Sequence, residues 1–141
     1  MIKGVDIYAT REFVSKHDTD KDNPTIFEVG LLDSQMRGYI LDKVSDFELS
    51  SGKPDDDAKL NWRINERNLA LVKFGVKDIK NFADPQTGQP IKFKCDVINK
   101  FGKSYDIVPD KILNMIPLKI MSELGAEILK ETEISKEAEK N

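Results

Sequence analysis

The sequence predicts an α+β domain, a small sheet of a few strands packed against three or four helices with an amphipathic C-terminal helix. Three observations carry that expectation. Residues 25–32 (TIFEVGLL) are rich in β-branched and aromatic side chains. Residues 91–97 (IKFKCDV) alternate apolar and polar positions, the period of a strand with one buried face. Ile120, Met121, Leu124, Ile128 and Leu129 recur at the spacing of a single helix face. A chain of 141 residues suits one hydrophobic core. We expect one domain over residues 1–130 and a charged tail or frayed helix over 131–141.

Along the chain, Ile2, Val5 and Ile7 loosely suggest an opening strand over residues 2–8. Residues 17–24 (HDTDKDNP) read as an acidic loop, ended by Pro24, which pushes Asn23 away from helical geometry. The first strand to enter the core is then residues 25–32. Asp33 and Ser34 offer N-cap chemistry for a helix running to about Ser45, with Met36, Ile40, Val44 and Phe47 inward and Leu41 beside them. Residues 49–57 (LSSGKPDDD) read as a loop.

Leu60, Trp62 and Ile64 alternate with polar neighbours and suggest a short strand over residues 59–65, with Trp62 as a core or interface anchor. Asn65 then caps a helix to Phe74, with Leu69, Val72 and Val76 as its inward positions and Gly75 as its stop. Residues 86–90 (QTGQP) form a turn leading into the amphipathic strand 91–97, on which Cys95 faces inward with Ile91, Phe93 and Val97. Pro109 opens a short helix over residues 110–115, and Pro117 opens the last one.

Charge is unevenly distributed. Residues 1–62 carry 8 basic and 13 acidic side chains, residues 63–103 carry 9 and 4, and residues 104–141 carry 5 and 8. A net charge of −3 does not suit a dedicated nucleic-acid binder, which needs clustered positive charge to neutralise phosphates. One cysteine and one histidine exclude the usual thiolate and imidazole metal sets and most histidine-dependent catalysis. No apolar run reaches the roughly 20 residues of a membrane span. The opening residues lack a signal-peptide apolar region. The expectation is a non-enzymatic intracellular protein without a cofactor, metal or membrane partner.

Several constellations invite chemistry and fall short of it. Asp18, Asp20 and Asp22 have calcium-loop spacing, but Asn23 stands where the sharp turn needs glycine and Val29 where the bidentate glutamate belongs. Contiguous Asp55, Asp56 and Asp57 point apart. His17 has no second histidine or convincing nucleophile. Gly102-Lys103-Ser104 ends like a phosphate loop, yet Val97 replaces the upstream glycine. Lys73, Lys77, Lys80, Lys92, Lys94, Lys100 and Lys103 interleave with Phe74, Phe82, Phe93 and Phe101, a pattern that core packing explains better than base stacking.

The order of short motifs is more informative. Thr10-Arg11-Glu12-Phe13-Val14-Ser15-Lys16-His17-Asp18 is followed by an acidic stretch and Pro24-Thr25-Ile26-Phe27-Glu28-Val29. A helix from Leu32-Asp33 through Tyr39-Ile40-Leu41-Asp42 comes next. Gly75, Asn81-Phe82-Ala83-Asp84 and Gly88-Gln89-Pro90-Ile91-Lys92-Phe93 follow, and a charged tail from Ser135 to Asn141 closes the chain. This order resembles small proteins from the structural-gene modules of tailed bacteriophages, some of them called tail assembly chaperones. One departure is the lack of a tryptophan over residues 76–80, ahead of the Asn-Phe pair.

The resemblance implies a non-enzymatic protein of the infected bacterium's cytoplasm that binds other phage structural or assembly proteins. The alternative is a small phage effector that binds a host protein such as a defence sensor. Self-association is compatible with either. Candidate partner-binding residues are Asn81, Phe82 and Asp84 in the turn, and Met121, Leu124, Ile128 and Leu129 on the last helix. A buried aromatic beside a polar rim is the usual anatomy of an interface anchor.

Overall fold

The computed structural model describes the backbone of residues 1–50 and 56–140, and the side chains of residues 1–42 and 64–130. It is an α+β domain with two small antiparallel sheets. β1 (Thr10–Val14) and β2 (Ile26–Gly30) pair with Phe13 opposite Phe27. β3 (Val76–Lys80) pairs with the other edge of β2, Phe27 opposite Ile79, with a register irregularity at Glu28/Val29. β2 is therefore central, and its Phe27 and Val29 are buried.

Between β2 and β3 the chain makes a helical excursion, α1 (Ser34–Ser50) and α2 (Asp56–Gly75). Asp33 caps α1 as expected: its Oδ1 accepts from the Met36 amide at 2.9 Å and satisfies one orphan donor of the first turn. Met36 and Ile40 are buried, and α1 extends past the expected end at Ser45. The Val44, Phe47 and Trp62 expectations fall on side chains outside the described residues.

The expected strand over residues 59–65 is instead helical, because α2 starts at Asp56 and runs without interruption. Asn68, Leu71, Val72 and Gly75 are all buried at helical spacing, and that face overrides the short alternation before it. Leu69, expected inward, is exposed, since at about 100° per residue it stands well off the arc of Asn68 and Val72. Residues 49–50 and 56–57, expected in a loop, are helical, and 51–55 lie outside the described residues.

α2 stops at Gly75 and β3 starts at Val76, which the sequence suggested as a helix position. Gly75 is required here by close packing. A Cβ on it would lie 2.7 and 2.9 Å from Cδ1 and Cγ2 of Ile128. β4 (Asp96–Lys100) and β5 (Lys103–Ile107) form a hairpin whose two turn residues, Phe101 and Gly102, have φ of 55° and 73°. This left-handed pair matches the twist of a tight hairpin, but the first position normally holds Asn, Asp or Gly.

The amphipathic strand expected over residues 91–97 begins only at Asp96. Residues 91–95 do alternate half-buried and exposed, yet they have no ladder partner beyond the isolated Ala83–Pro90 bridge before them. The phase then shifts, so that Ile98 packs on the core and Val97 faces outward. The expected opening strand over residues 2–8 has no regular structure, and Ile2, Val5, Ile7 and Tyr8 are exposed.

Pro109 caps the one-turn α3 (Asp110–Leu113). The Pro117 carbonyl then accepts from Met121 at the start of α4 (Leu118–Lys140), whose backbone is helical through the segment expected to be a tail or frayed helix. α4 packs chiefly on α2, and its Leu124 and Ile128 are fully buried.

Candidate functional site

The expected partner-binding residues fall into two unlike places. Met121, Leu124 and Ile128 belong to the core, and Leu129 is half-buried against it. That face is therefore covered by the molecule's own α2, a correction to its reading as a surface for others. The reason is that α2 supplies a matching buried stripe, with Gly75 facing Ile128 and Gly125 of α4 facing Asn68 letting the two helices approach closely.

The turn is accessible, but its groups hold the local backbone. Asn81, at φ 59°, donates from its side chain to the Pro24 carbonyl and accepts from the Thr25 hydroxyl at its own carbonyl. Phe82 packs at 6.4 Å from Phe27. Asp84 accepts from the Gln86 and Thr87 amides, while its backbone exchanges bonds with Gln89 and Gly88. Each motif residue thus has a local architectural task.

The same holds for the acidic loop. Asp18 Oδ1 accepts from the Asp20 amide and Oδ2 from the Thr25 amide, while Asp20 accepts from the Asn23 amide. These carboxylates stitch the loop closed rather than converge. Among the described residues no group of three or more His, Cys, Asp or Glu is placed to hold a metal ion. No described helix is long and apolar enough to cross a membrane.

Two concave surfaces lie among the described residues, and the sequence alone located neither. The first, about 590 Å³, lies between the opening segment, the start of α1, the end of α2 and β5. On its wall the Tyr105 hydroxyl donates to Asp33 Oδ2 at 2.7 Å, and Lys103 Nζ stands 3.8 Å from the same oxygen. Partial burial tends to raise the Asp33 pKa. Hydrogen bonds from the Met36 amide and Tyr105, with the Lys103 charge, outweigh it and hold the carboxyl below its ordinary value. Burial and the Asp33 carboxylate push the Tyr105 phenol up to about 12. Near neutrality this pair is one settled carboxylate and one settled phenol, so neither is matched to acid–base work there.

Lys77 lines the same cleft. Burial pushes its amine's pKa down, opposed by Cys95, Asp106 and Asp33. Its Nζ donates to the Phe74 carbonyl at 2.8 Å and so satisfies an orphan acceptor in the last turn of α2, as the Val108 amide does for Lys73. Burial and Asp106 push the Cys95 thiol up, away from the reactive thiolate. The polar groups of this cleft serve helix ends and strand contacts.

The second surface is a groove of about 270 Å³ between α1, α2 and β4. Tyr39, Leu69, Ala70 and Ile98 supply its apolar lining, and Arg67, Lys73 and Lys100 its cations, with Glu66 the acidic member. Lys100 Nζ lies 3.9 Å from the Tyr39 ring centroid, and Phe101 meets Tyr39 edge-on at 5.6 Å. Tyr39, Leu69 and Phe101 are 37%, 42% and 39% exposed, so large apolar surface is left in water beside the cations. The hint in the sequence was the excess of basic residues over 63–103.

Comparison with protein-family models, curated proteins and solved structures gave no match for this chain.

Proposed function

We propose that the chain is a non-enzymatic bacteriophage protein that acts by protein–protein binding in virion assembly, in the head–tail or tail region. It would work in the cytoplasm of the infected bacterium and need no cofactor. The order of motifs from Thr10-Arg11-Glu12 through Asn81-Phe82-Ala83-Asp84 carries the phage reading. Support for binding rather than turnover comes from the described polar clusters, whose groups are engaged in caps, turns and strand contacts. Further support comes from apolar side chains left exposed beside cations at the groove.

A tagged chain expressed during infection tests this reading. Affinity recovery is expected to bring down a capsid, connector or tail protein. Recovery of host metabolic enzymes alone contradicts it. Toxicity or altered phage resistance in uninfected cells would instead favour an effector that binds a host protein.

A further inference from the structure

We propose that the groove between α1, α2 and β4 receives an acidic amphipathic helix of another protein. The inference rests on the protein-binding reading above and gives the partner a chemistry. At about 270 Å³ the groove lies below the usual range for drug-sized ligands, which starts near 300 Å³, but it suits anchoring side chains of a larger partner. Its walls include two helices, and its apolar lining is a short strip of Leu69, Ala70, Tyr39 and Ile98. That is the layout in which a helix seats residues spaced three and four apart.

Charge selects the occupant. Among the described lining residues, Arg67, Lys73 and Lys100 outnumber the acid Glu66 around this strip. Arg67 also has a buried Nε with no hydrogen-bond partner among the described residues. Acidic side chains flanking an apolar ridge would meet these cations at the rim while the ridge covers Leu69 and Tyr39. A basic helix would meet like charge.

The hairpin tip adds an independent observation. Phe101 holds a left-handed φ of 55° in a turn position that favours Asn, Asp or Gly, yet it is 39% exposed. The strained conformation places an aromatic edge against Tyr39 and beside Lys100, at the end of the groove. Strain kept at an exposed position is a mark of a binding surface rather than of core packing.

The test uses the full chain and two labelled peptides of about 15 residues, each held helical by a side-chain staple because a free helix of that length is marginal in water. Both carry leucines three and four apart; one has glutamates at the remaining positions and the other lysines. Fluorescence anisotropy at low salt is expected to show the acidic peptide binding at least about tenfold more tightly than the basic one, with the difference shrinking as salt rises. Lys73→Glu with Lys100→Glu, and separately Leu69→Glu, should each weaken the acidic peptide about tenfold or more. These side chains lie on the groove rim, and unchanged circular dichroism and melting would show that the variants fold. Phe101→Gly accepts the same φ and should weaken binding while the hairpin persists.

Equal binding of both peptides, binding indifferent to these substitutions, or a self-association abolished by Leu69→Glu would overturn the assignment. If neither peptide binds while infected cells still yield a virion protein, the groove assignment falls and the assembly reading stands.

Discussion

Helix α2 carries two surfaces that a sequence pattern does not tell apart. On one side Asn68 and Gly75 meet α4, with Leu71 and Val72 buried on the same arc. On the other side exposed Leu69 lines an open groove together with Arg67 and Lys73. The α4 stripe looked like a docking face because its apolar residues were numerous. The structure covers it, because a long regular stripe is what a partner helix of the same chain buries best. The groove left open is shorter, mixed with cations, and drawn from three elements.

The largest expected effect separates the two sides by stability. Leu124→Ala removes a fully buried side chain and should cost about 2–5 kcal/mol in urea unfolding. Leu69→Ala should stay within about 0.5 kcal/mol. Comparable losses at both positions would erase the distinction. Gly75→Ala comes next: its Cβ collides with Ile128, and a loss of about 1–3 kcal/mol is expected by overpacking. Ile128→Val removes Cδ1 and should return part of that loss in the double mutant, which a double-mutant cycle would show as coupling.

Asp33 gives a smaller, pH-dependent effect. Its folded pKa lies below the ordinary 3.8. Its contribution to stability is therefore complete above the unfolded value and is lost as pH falls through the folded one. Asp33→Asn keeps N-cap chemistry but removes the charge facing Tyr105 and Lys103. It should cost about 1 kcal/mol at neutral pH and flatten the acid limb of the stability profile. At the alkaline end the sign reverses. Tyr105 ionises in the fold only near 12, against an ordinary value of 10, so its contribution is complete below pH 10 and fades as pH rises through 12.

The smallest effect is at the hairpin tip. Phe101→Gly trades relief of left-handed strain, about 1–2 kcal/mol, against the lost Tyr39 contact, about 0.5–1.5 kcal/mol. Thermal melting should shift by only a few degrees.

Periodicity over long segments was legible in the sequence. Asp33 capping α1, the Gly75 stop and the shared helical face of Met121, Leu124 and Ile128 followed from local chemistry, but that face was assigned to a partner and is buried in the core. Short alternations were not reliable, because three alternating residues fit a strand or a helix turn equally well. Residues 59–65 became part of α2, and residues 91–95 kept their alternation without finding a ladder partner. β3 was hidden because Val76 follows the helix stop directly, leaving no loop to mark a new element. The groove was illegible for a different reason. Tyr39, Leu69 and Lys100 are distant in the chain, and nothing in their local sequence announces that folding brings them together. Only the regional excess of basic residues pointed that way, without specifying a location.

Site-specific photo-crosslinking in infected cells tests the central claim most directly. A photoreactive residue would be placed either at exposed Leu69 in the groove or at exposed Gln86 in the turn beyond Asn81 and Phe82. The account predicts that position 69 captures a virion component through an acidic segment, while position 86 captures none. Capture of that component at position 86 alone, or no virion component at position 69, would contradict it.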